Sequence, residues 1–138
     1  MLAKPHHLKL IGRREFVDFP LLHILNIEAK IDTGAYTSAI HCKQINIDEK
    51  SVLSVQFFDD KVHLFDQFSI KKIKNSSGEM EERFIIKTII KIGNKKIKTT
   101  ISLTDRGGMR YPVLIGRRLL KKKFIVDVNL IYTNGLNI

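Results

Sequence analysis

The sequence predicts an all-β protein built as a closed barrel or a sandwich, and three observations lead to that fold class. Short runs rich in β-branched and aromatic residues recur along the 138 residues, and turns containing glycine, asparagine or aspartate separate them. Only one short segment has the character of a helix. Many short strands at close spacing are typical of barrels and sandwiches.

The predicted strands cover most of the chain. Alternation is clearest in residues 95–103, where every second residue from Ile97 to Leu103 falls on one face. Turn signals at 59–60, 75–78 and 93–94 divide residues 51–103 into two or three hairpins. The predicted strands are residues 8–11, 14–18, 26–32, 51–58, 62–65, 67–74, 83–91, 95–103, 111–115 and 124–129.

One helix is expected, at residues 116–123. Leu119 and Leu120 give it an apolar side, and its basic C-terminal end suits the helix dipole. The predicted length is about two turns.

The composition limits the class of protein. The length favours a single domain over residues 1–138, and 43% hydrophobic residues are enough for a core. One cysteine excludes an internal disulfide framework and a four-cysteine zinc site. No apolar run approaches the ~18 residues of a membrane span, and the basic N-terminus has no apolar signal core, so we expect a cytoplasmic protein. The formal net charge of +10 fits either a polyanionic partner or a solubilising surface.

Two separated segments contain the residues whose chemistry is most suggestive of a functional site. Asp32 follows a strand-like run and precedes Thr33 and Gly34, which predicts a carboxylate in a tight turn that the backbone approaches closely. By itself, this triplet favours the plainer interpretation of a common turn. The second segment, residues 112–117, is an apolar strand that ends in Gly116-Arg117 and opens the predicted helix.

In this order, the two segments resemble those of retropepsin-like aspartic peptidases, in which an apolar-apolar-Gly strand supports an Asp-Thr-Gly loop. Further similar residues extend the resemblance from about residue 8 to residue 128: 11–15, 29–38 with 40–41, 76–78 with 81 and 83, 103–106 with 109, and 114–117 with 126–127. They narrow it to the bacterial family often labelled "ATP-dependent zinc protease", the RimK-associated retropepsin-like proteins. The resemblance implies a closed barrel of acid-protease type with one short C-terminal helix.

The resemblance also implies peptide hydrolysis by two carboxylates in contact. Such a pair shares a proton, so that one carboxylate activates water and the other hydrogen-bonds the scissile carbonyl. The chain holds one Asp-Thr-Gly, so a pair of equivalent loops requires a homodimer with Asp32 facing its symmetry mate. The resemblance assigns Thr33 a hydrogen bond across the axis, and Gly34 the close approach. The residues expected to support the loop are Ala35, Ile115, Gly116 and Arg117.

A hairpin is expected to cover the cleft as a flap. The first candidate is residues 74–79, with Ser76, Ser77 and Gly78 at its tip, and the second is residues 58–61. An ordinary surface hairpin explains either segment equally well. Arg83 and Arg106 are further candidates for substrate contacts.

Arg117 lacks the acidic partner that retroviral members of the fold usually supply a few residues after Asp-Thr-Gly, because residues 35–38 contain no acid. Asp105, Asp127, a residue of the dimer mate and the substrate are the alternatives.

The residues give little support to the metal and nucleotide in the family label. There is no His-Glu-x-x-His, and adjacent strand residues such as His41 and Cys42 point to opposite faces. No Gly-x-x-x-x-Gly-Lys-Ser/Thr phosphate loop occurs. We therefore expect no metal site and no cofactor.

The family resemblance implies association with a RimK-like ATP-grasp ligase that adds glutamates to protein C-termini. An acidic, glutamate-tailed substrate would be attracted by the surplus positive charge. Two alternatives stay open: a non-catalytic peptide-binding module of the same fold, and a basic β-barrel that binds nucleic acid. The latter is disfavoured, because only 8% of residues are aromatic and no aromatic-basic interleaving occurs.

Overall fold

The computed structural model describes residues 8–58, 60–74, 77–105 and 110–135. These residues form mainly β-strands, with one short α-helix and one 3-10 turn at Pro20–Leu22, so the all-β prediction is confirmed. The helix is α1 (Arg117–Leu120). The strands are β1 (Lys9–Ile11), β2 (Arg14–Phe19), β3 (Ile24–Ile31), β4 (Ala39–His41), β5 (Gln44–Ile47), β6 (Leu53–Gln56), β7 (Val62–Phe65), β8 (Ser69–Lys74), β9 (Met80–Ile92), β10 (Lys95–Thr104), β11 (Val113–Ile115) and β12 (Phe124–Val126).

Six strands close into a barrel, in the order β10-β4-β11-β3-β2-β9, and β9 pairs with β10 to complete the ring. β8 extends the sheet beyond β9, so that β8, β9 and β10 form a continuous antiparallel meander. Closure gives each of the six barrel strands a neighbour on both sides, and β8 forms the outer edge of the sheet. The predicted closed barrel is confirmed.

Two smaller sheets lie outside the ring. β5, β6 and β7 form an antiparallel meander, and β1 pairs in parallel with β12. The C-terminal segment is held further by Glu15, which is fully buried. Its Oε2 accepts hydrogen bonds from the Gly12 N–H at 2.7 Å and from the Thr133 hydroxyl at 2.6 Å.

The core fills the barrel with alternate residues of the long β9–β10 hairpin. Ile97, Ile101 and Leu103 are buried, while Lys96 and Lys98 on the opposite face are exposed, as the alternation predicts. Ile86 and Ile90 of β9 join the same core. Within the described ranges, no helix has the length and apolar character to cross a membrane.

The sequence does not predict β4 or β5, and it predicts too long a helix. β4 has only three residues and is fixed by its neighbours β10 and β11 rather than by its own pattern. The expected helix at 116–123 is wrong beyond Leu120, because Lys121 leaves helical geometry (φ −57°, ψ 130°) and Lys122 has a positive φ of 66°.

The last predicted strand, at residues 124–129, ends early, at Val126. Asp127 stops it, because its carboxylate accepts the Asn129 N–H at 2.9 Å and so forms a local turn.

Candidate active site

Asp32 lies immediately after β3, in a turn that its own carboxylate helps to close. Oδ1 accepts the Gly34 N–H at 3.1 Å, and the Asp32 carbonyl accepts the Ala35 N–H at 3.1 Å. A Cβ atom at position 34 would lie 3.3 Å from Oδ1, so an alanine there would crowd this carboxylate. The turn therefore holds the Asp32 side chain against the backbone of the loop.

Strand β11 runs directly beside this loop. β11 pairs in parallel with β3, with Ile115 opposite Ile31, and the Asp32 N–H donates to the Ile115 carbonyl at 2.8 Å. β11 also pairs with β4 on its other side. The structure thus brings the two chemically distinctive segments of the sequence together across about eighty residues of intervening chain.

Gly116 fits where no side chain could. A Cβ atom at this position would lie 2.5 Å from the Thr37 carbonyl oxygen and 2.7 Å from that of Tyr36. The Gly116 N–H donates at 3.0 Å to the hydroxyl of Ser38, which is buried. Ser38 is absent from the site residues that the sequence predicts, although its hydroxyl follows the Asp-Thr-Gly triplet closely enough to have been considered.

Arg117 braces the loop from the start of α1. Its backbone N–H donates to the Ala35 carbonyl at 2.8 Å, and its guanidinium donates to the Thr33 carbonyl at 2.9 Å. The guanidinium also lies over the Tyr36 ring, 5.8 Å from the centroid. A backbone carbonyl and an aromatic ring thus take the place of the acidic partner, and this arrangement was not among the expected alternatives.

The tip of the loop faces outward. Thr33 and Gly34 are exposed and Asp32 is half-buried, whereas the residues beneath them, Ile115 and Gly116, are buried. The loop therefore combines a rigid base with an accessible carboxylate, which is a suitable arrangement for a group that acts on a ligand.

The two strands that flank the first flap candidate lie beside the chain that leaves the Asp32 loop. The β8–β9 hairpin contributes Lys71 and Arg83 to a cavity of about 90 Å³, which Thr37, Ser38 and Arg118 also line. The guanidinium of Arg83 pairs with Glu81 at 2.9 Å.

At the hairpin turn itself, Gly78 has a φ of 86° and Ser77 precedes it. Ser76 lies outside the described residues, as does Arg106. Of the described residues in the second candidate, 58–61, none lines this cavity.

Cys42 and the described histidines do not form a metal centre. In the described ranges, no group of three or more His, Cys, Asp or Glu side chains is placed to hold a metal ion. Cys42 is fully buried, and burial raises the pKa of its thiol from about 9 to about 12. Its environment therefore suits a small core residue rather than a nucleophile or ligand.

Comparison with known families addresses the resemblance of the two segments. The family model described as "Retropepsin-like aspartic endopeptidase RimB" matches residues 10–135. The chain belongs to the RimB-like family. Membership confirms the predicted resemblance and agrees with the six-stranded barrel, with an Asp-Thr-Gly loop at the end of a strand and an apolar-apolar-Gly strand beside it.

The curated relatives are larger proteins. A "Probable alpha-L-glutamate ligase" of Desulfotalea psychrophila is 32% identical over 129 residues, which cover 86% of this chain and 28% of the relative. A protein of the same description from Shewanella halifaxensis is 31% identical over 128 residues, with the same coverage of each chain. This chain thus spans little more than a quarter of the curated relatives that it matches.

A solved structure shares the fold over nearly the whole chain. The crystal structure of a Legionella pneumophila protein of unknown function superposes with a TM-score of 0.72 at 26% identity. The match covers 91% of this chain and 98% of the other.

Proposed function

We propose that this RimB-like protein is an aspartic endopeptidase that works as a homodimer, with Asp32 and its symmetry mate as the catalytic pair. The observation that carries the proposal is the Asp32 turn, in which a half-buried carboxylate is oriented by the Gly34 N–H and supported from below by Ile115 and Gly116. Membership of a family described as retropepsin-like aspartic endopeptidases supports the same activity.

The homodimer follows from the chemistry of an aspartic peptidase. The mechanism needs two carboxylates close enough to share one proton, and this chain contains a single Asp-Thr-Gly. The exposed Thr33 and Gly34 leave the tip of the loop free to meet a second copy. In the pair, the ionised carboxylate takes a proton from water, and the protonated carboxylate donates to the carbonyl oxygen of the scissile bond.

Acidic, glutamate-tailed proteins are the proposed substrates, with a RimK-like ligase as the partner that makes them. Cationic side chains from Lys71, Arg83 and Arg118 line the cavity beside Thr37 and Ser38, and the chain carries a net charge of +10. Relatives described as probable alpha-L-glutamate ligases contain a region similar to this chain. A cationic cleft would raise the local concentration of such a tail.

The decisive experiment compares cleavage by the native protein and by the Asp32→Asn variant, with a peptide that ends in several glutamates as the substrate. Cleavage is followed by mass spectrometry, and the oligomeric state is measured by analytical ultracentrifugation at the same concentration. Asp48→Asn is the matched control. Asp48 lies in another turn, where its carboxylate accepts hydrogen bonds from the Lys50 and Val52 N–H groups, and an asparagine side-chain oxygen can accept the same bonds.

The expected result is a dimer that cleaves the peptide, loss of cleavage in Asp32→Asn, and full cleavage by Asp48→Asn. Undiminished cleavage by Asp32→Asn would exclude the proposed mechanism. A monomer that cleaves as well as the dimer would exclude the shared pair. Equal cleavage of a neutral peptide at low salt would exclude the acidic specificity.

A further inference from the structure

A second basic cleft lies between the β9–β10 hairpin and helix α1. Its volume is about 480 Å³, which is within the range of ligand-binding sites. No described residue that lines it is acidic. Its cationic residues are Lys87, Lys98, Arg118 and Lys123, and we call this cavity the basic cleft.

The basic cleft also has an apolar wall. Leu21 and Ile89 contribute to it, and Ile97 and Leu119 connect it to the core. Leu21 lies in the 3-10 turn and is 61% exposed, which leaves its side chain available to a ligand. The chemistry that complements cations beside exposed apolar groups is an anion that carries apolar groups itself.

Thr88 adds an unsatisfied polar group to the wall. Thr88 is 4% exposed, and its hydroxyl has no hydrogen-bond partner among the described residues. Thr88 lines the basic cleft. Rotation about χ1 moves its hydroxyl among staggered positions without moving the strand, so the group is available to a ligand that enters the cleft. A buried hydroxyl without a partner is costly, and a ligand carboxylate would remove that cost.

The basic cleft adjoins the smaller cavity that lies beside the chain leaving the Asp32 loop, and the Arg118 guanidinium donates to the Thr100 hydroxyl at 3.4 Å where the two meet. Thr100 and Arg118 line both the basic cleft and the smaller cavity next to Thr37 and Ser38. A peptide that fills the smaller cavity would therefore come next to the basic cleft at Thr100 and Arg118.

We propose that the basic cleft binds an extended peptide segment that carries both carboxylates and apolar side chains, as a second contact for the chain that the Asp32 loop acts on. The occupant follows from the complementary charge of the four cations and from the wall at Thr100 and Arg118 that the basic cleft shares with the cavity beside Thr37 and Ser38. The inference rests on the proposed function only in assigning the segment to the substrate, because binding in the basic cleft needs no catalysis.

Binding is measured in the Asp32→Asn background, where turnover does not interfere. The probe is a fluorescein-labelled peptide in which Glu alternates with Leu, titrated by fluorescence anisotropy at low salt. The test variant is Lys87→Gln with Lys98→Gln. The control is Lys91→Gln with Lys96→Gln, which removes the same charge from the same two strands, at positions that line neither cavity.

The Kd is expected to rise about fivefold to tenfold in the test variant and less than about twofold in the control. Equal weakening in both pairs would mean that net charge alone attracts the peptide, and an unchanged Kd in the test variant would mean that it binds elsewhere. Either result overturns the proposal.

Thr88→Val provides a second test. If the Thr88 hydroxyl had only a structural role, this change would leave the Kd for the probe unaltered. Valine keeps the shape and removes the unpartnered hydroxyl, so resistance to urea should not fall. The Kd for the probe should nevertheless rise at least about fivefold. An unchanged Kd would contradict the proposed site.

The two proposals fail in different ways. If the native protein cleaves no peptide but the anisotropy results hold, the basic cleft stands and the peptidase proposal falls. The opposite result is that the native protein cleaves a glutamate-tailed peptide, while Lys87→Gln with Lys98→Gln changes neither KM nor the Kd of the probe. It would support the peptidase and contradict binding in the basic cleft.

Discussion

The buried Ser38 hydroxyl accepts the Gly116 N–H at 3.0 Å, and this one hydrogen bond ties the end of β11 to the chain that leaves the Asp32 loop. The two residues are 78 positions apart in the sequence. Because Gly116 has no side chain, the backbone of Tyr36 and Thr37 can lie directly against it. The shape of the candidate active site depends on this contact as much as on Asp32 itself.

Ser38→Ala should destabilise the fold and loosen the loop. The change leaves the buried Gly116 N–H without an acceptor, which costs about 1–3 kcal/mol in the free energy of unfolding. Urea denaturation measures the loss. Thr37→Ala, which removes the exposed neighbouring hydroxyl, should change stability by less than about 0.5 kcal/mol. Equal effects of the two variants would show that the Ser38 hydrogen bond contributes nothing special.

Gly116→Ala should be more damaging than an ordinary glycine substitution. The new Cβ atom would meet two backbone carbonyl oxygens at less than 3 Å, so the loop must move. Gly135→Ala is the comparison, since that position has a φ of 63° but no atom within 4 Å of the added carbon. We expect a loss of about 3 kcal/mol for Gly116→Ala, against about 1 kcal/mol for Gly135→Ala. Thermal unfolding of both variants checks the order, and the reverse order would contradict the tight approach at Gly116.

Arg117→Ala should free the tip of the Asp32 loop with little effect on global stability. The exposed guanidinium contributes one hydrogen bond to the Thr33 carbonyl and a contact with the Tyr36 ring, so we expect a loss of about 1 kcal/mol at most. Amide hydrogen exchange of Ala35, whose N–H donates to the Asp32 carbonyl, should become faster.

Arg117→Lys tests which part of the side chain matters. Lysine keeps the charge but loses the planar group that lies on the ring, so it should restore the slow exchange only in part. Full restoration would show that charge alone holds the loop. Unchanged exchange in Arg117→Ala would show that the guanidinium does not brace it.

The sequence predicts the fold well where the local pattern and the tertiary environment agree. In residues 95–103 the apolar residues Ile97, Ile101 and Leu103 fall on one face of a barrel strand, so the strand and its buried face are both confirmed. β4 escapes prediction because three residues carry no measurable period, and its pairing with β10 and β11 decides its conformation. The helix ends at Leu120 because the backbone at Lys121 and Lys122 is not helical. Lysine is a good helix former, so the residue types do not predict this end.

The candidate site was predictable to the extent that single residues carry it. The Asp-Thr-Gly and Gly-Arg segments stand out in the sequence, and the structure places them side by side. The hydrogen-bond partners within these segments were harder to predict. The Arg117 guanidinium donates to the backbone carbonyl of Thr33, and every residue has a backbone carbonyl, so the residue type gives no signal. The basic cleft was also hidden, since its lysines are separated along the chain and become neighbours only through the register of β9 and β10.

Cys42 should make stability fall with rising pH above about 9. Its thiol is protonated in the folded protein up to a pKa of about 12, whereas in the unfolded chain it titrates near 9. Below pH 9 both states hold the proton and the contribution to stability is complete. Between the two pKa values the unfolded chain releases the proton first, so the free energy of unfolding should drop by up to ~1.4 kcal/mol per pH unit.

Urea denaturation at pH 8 and pH 10 measures this loss, and Cys42→Ala separates it from the titration of lysines and tyrosines, which both proteins share. The native protein should lose about 1–1.5 kcal/mol more than the variant between the two pH values, because only its unfolded state gains a thiolate. Iodoacetamide should also modify the folded protein far more slowly than the unfolded chain at pH 8, since burial both shields the thiol and keeps it protonated. Equal pH dependence of the two proteins, together with rapid alkylation of the folded state, would mean that Cys42 is accessible and ionises at its ordinary pKa.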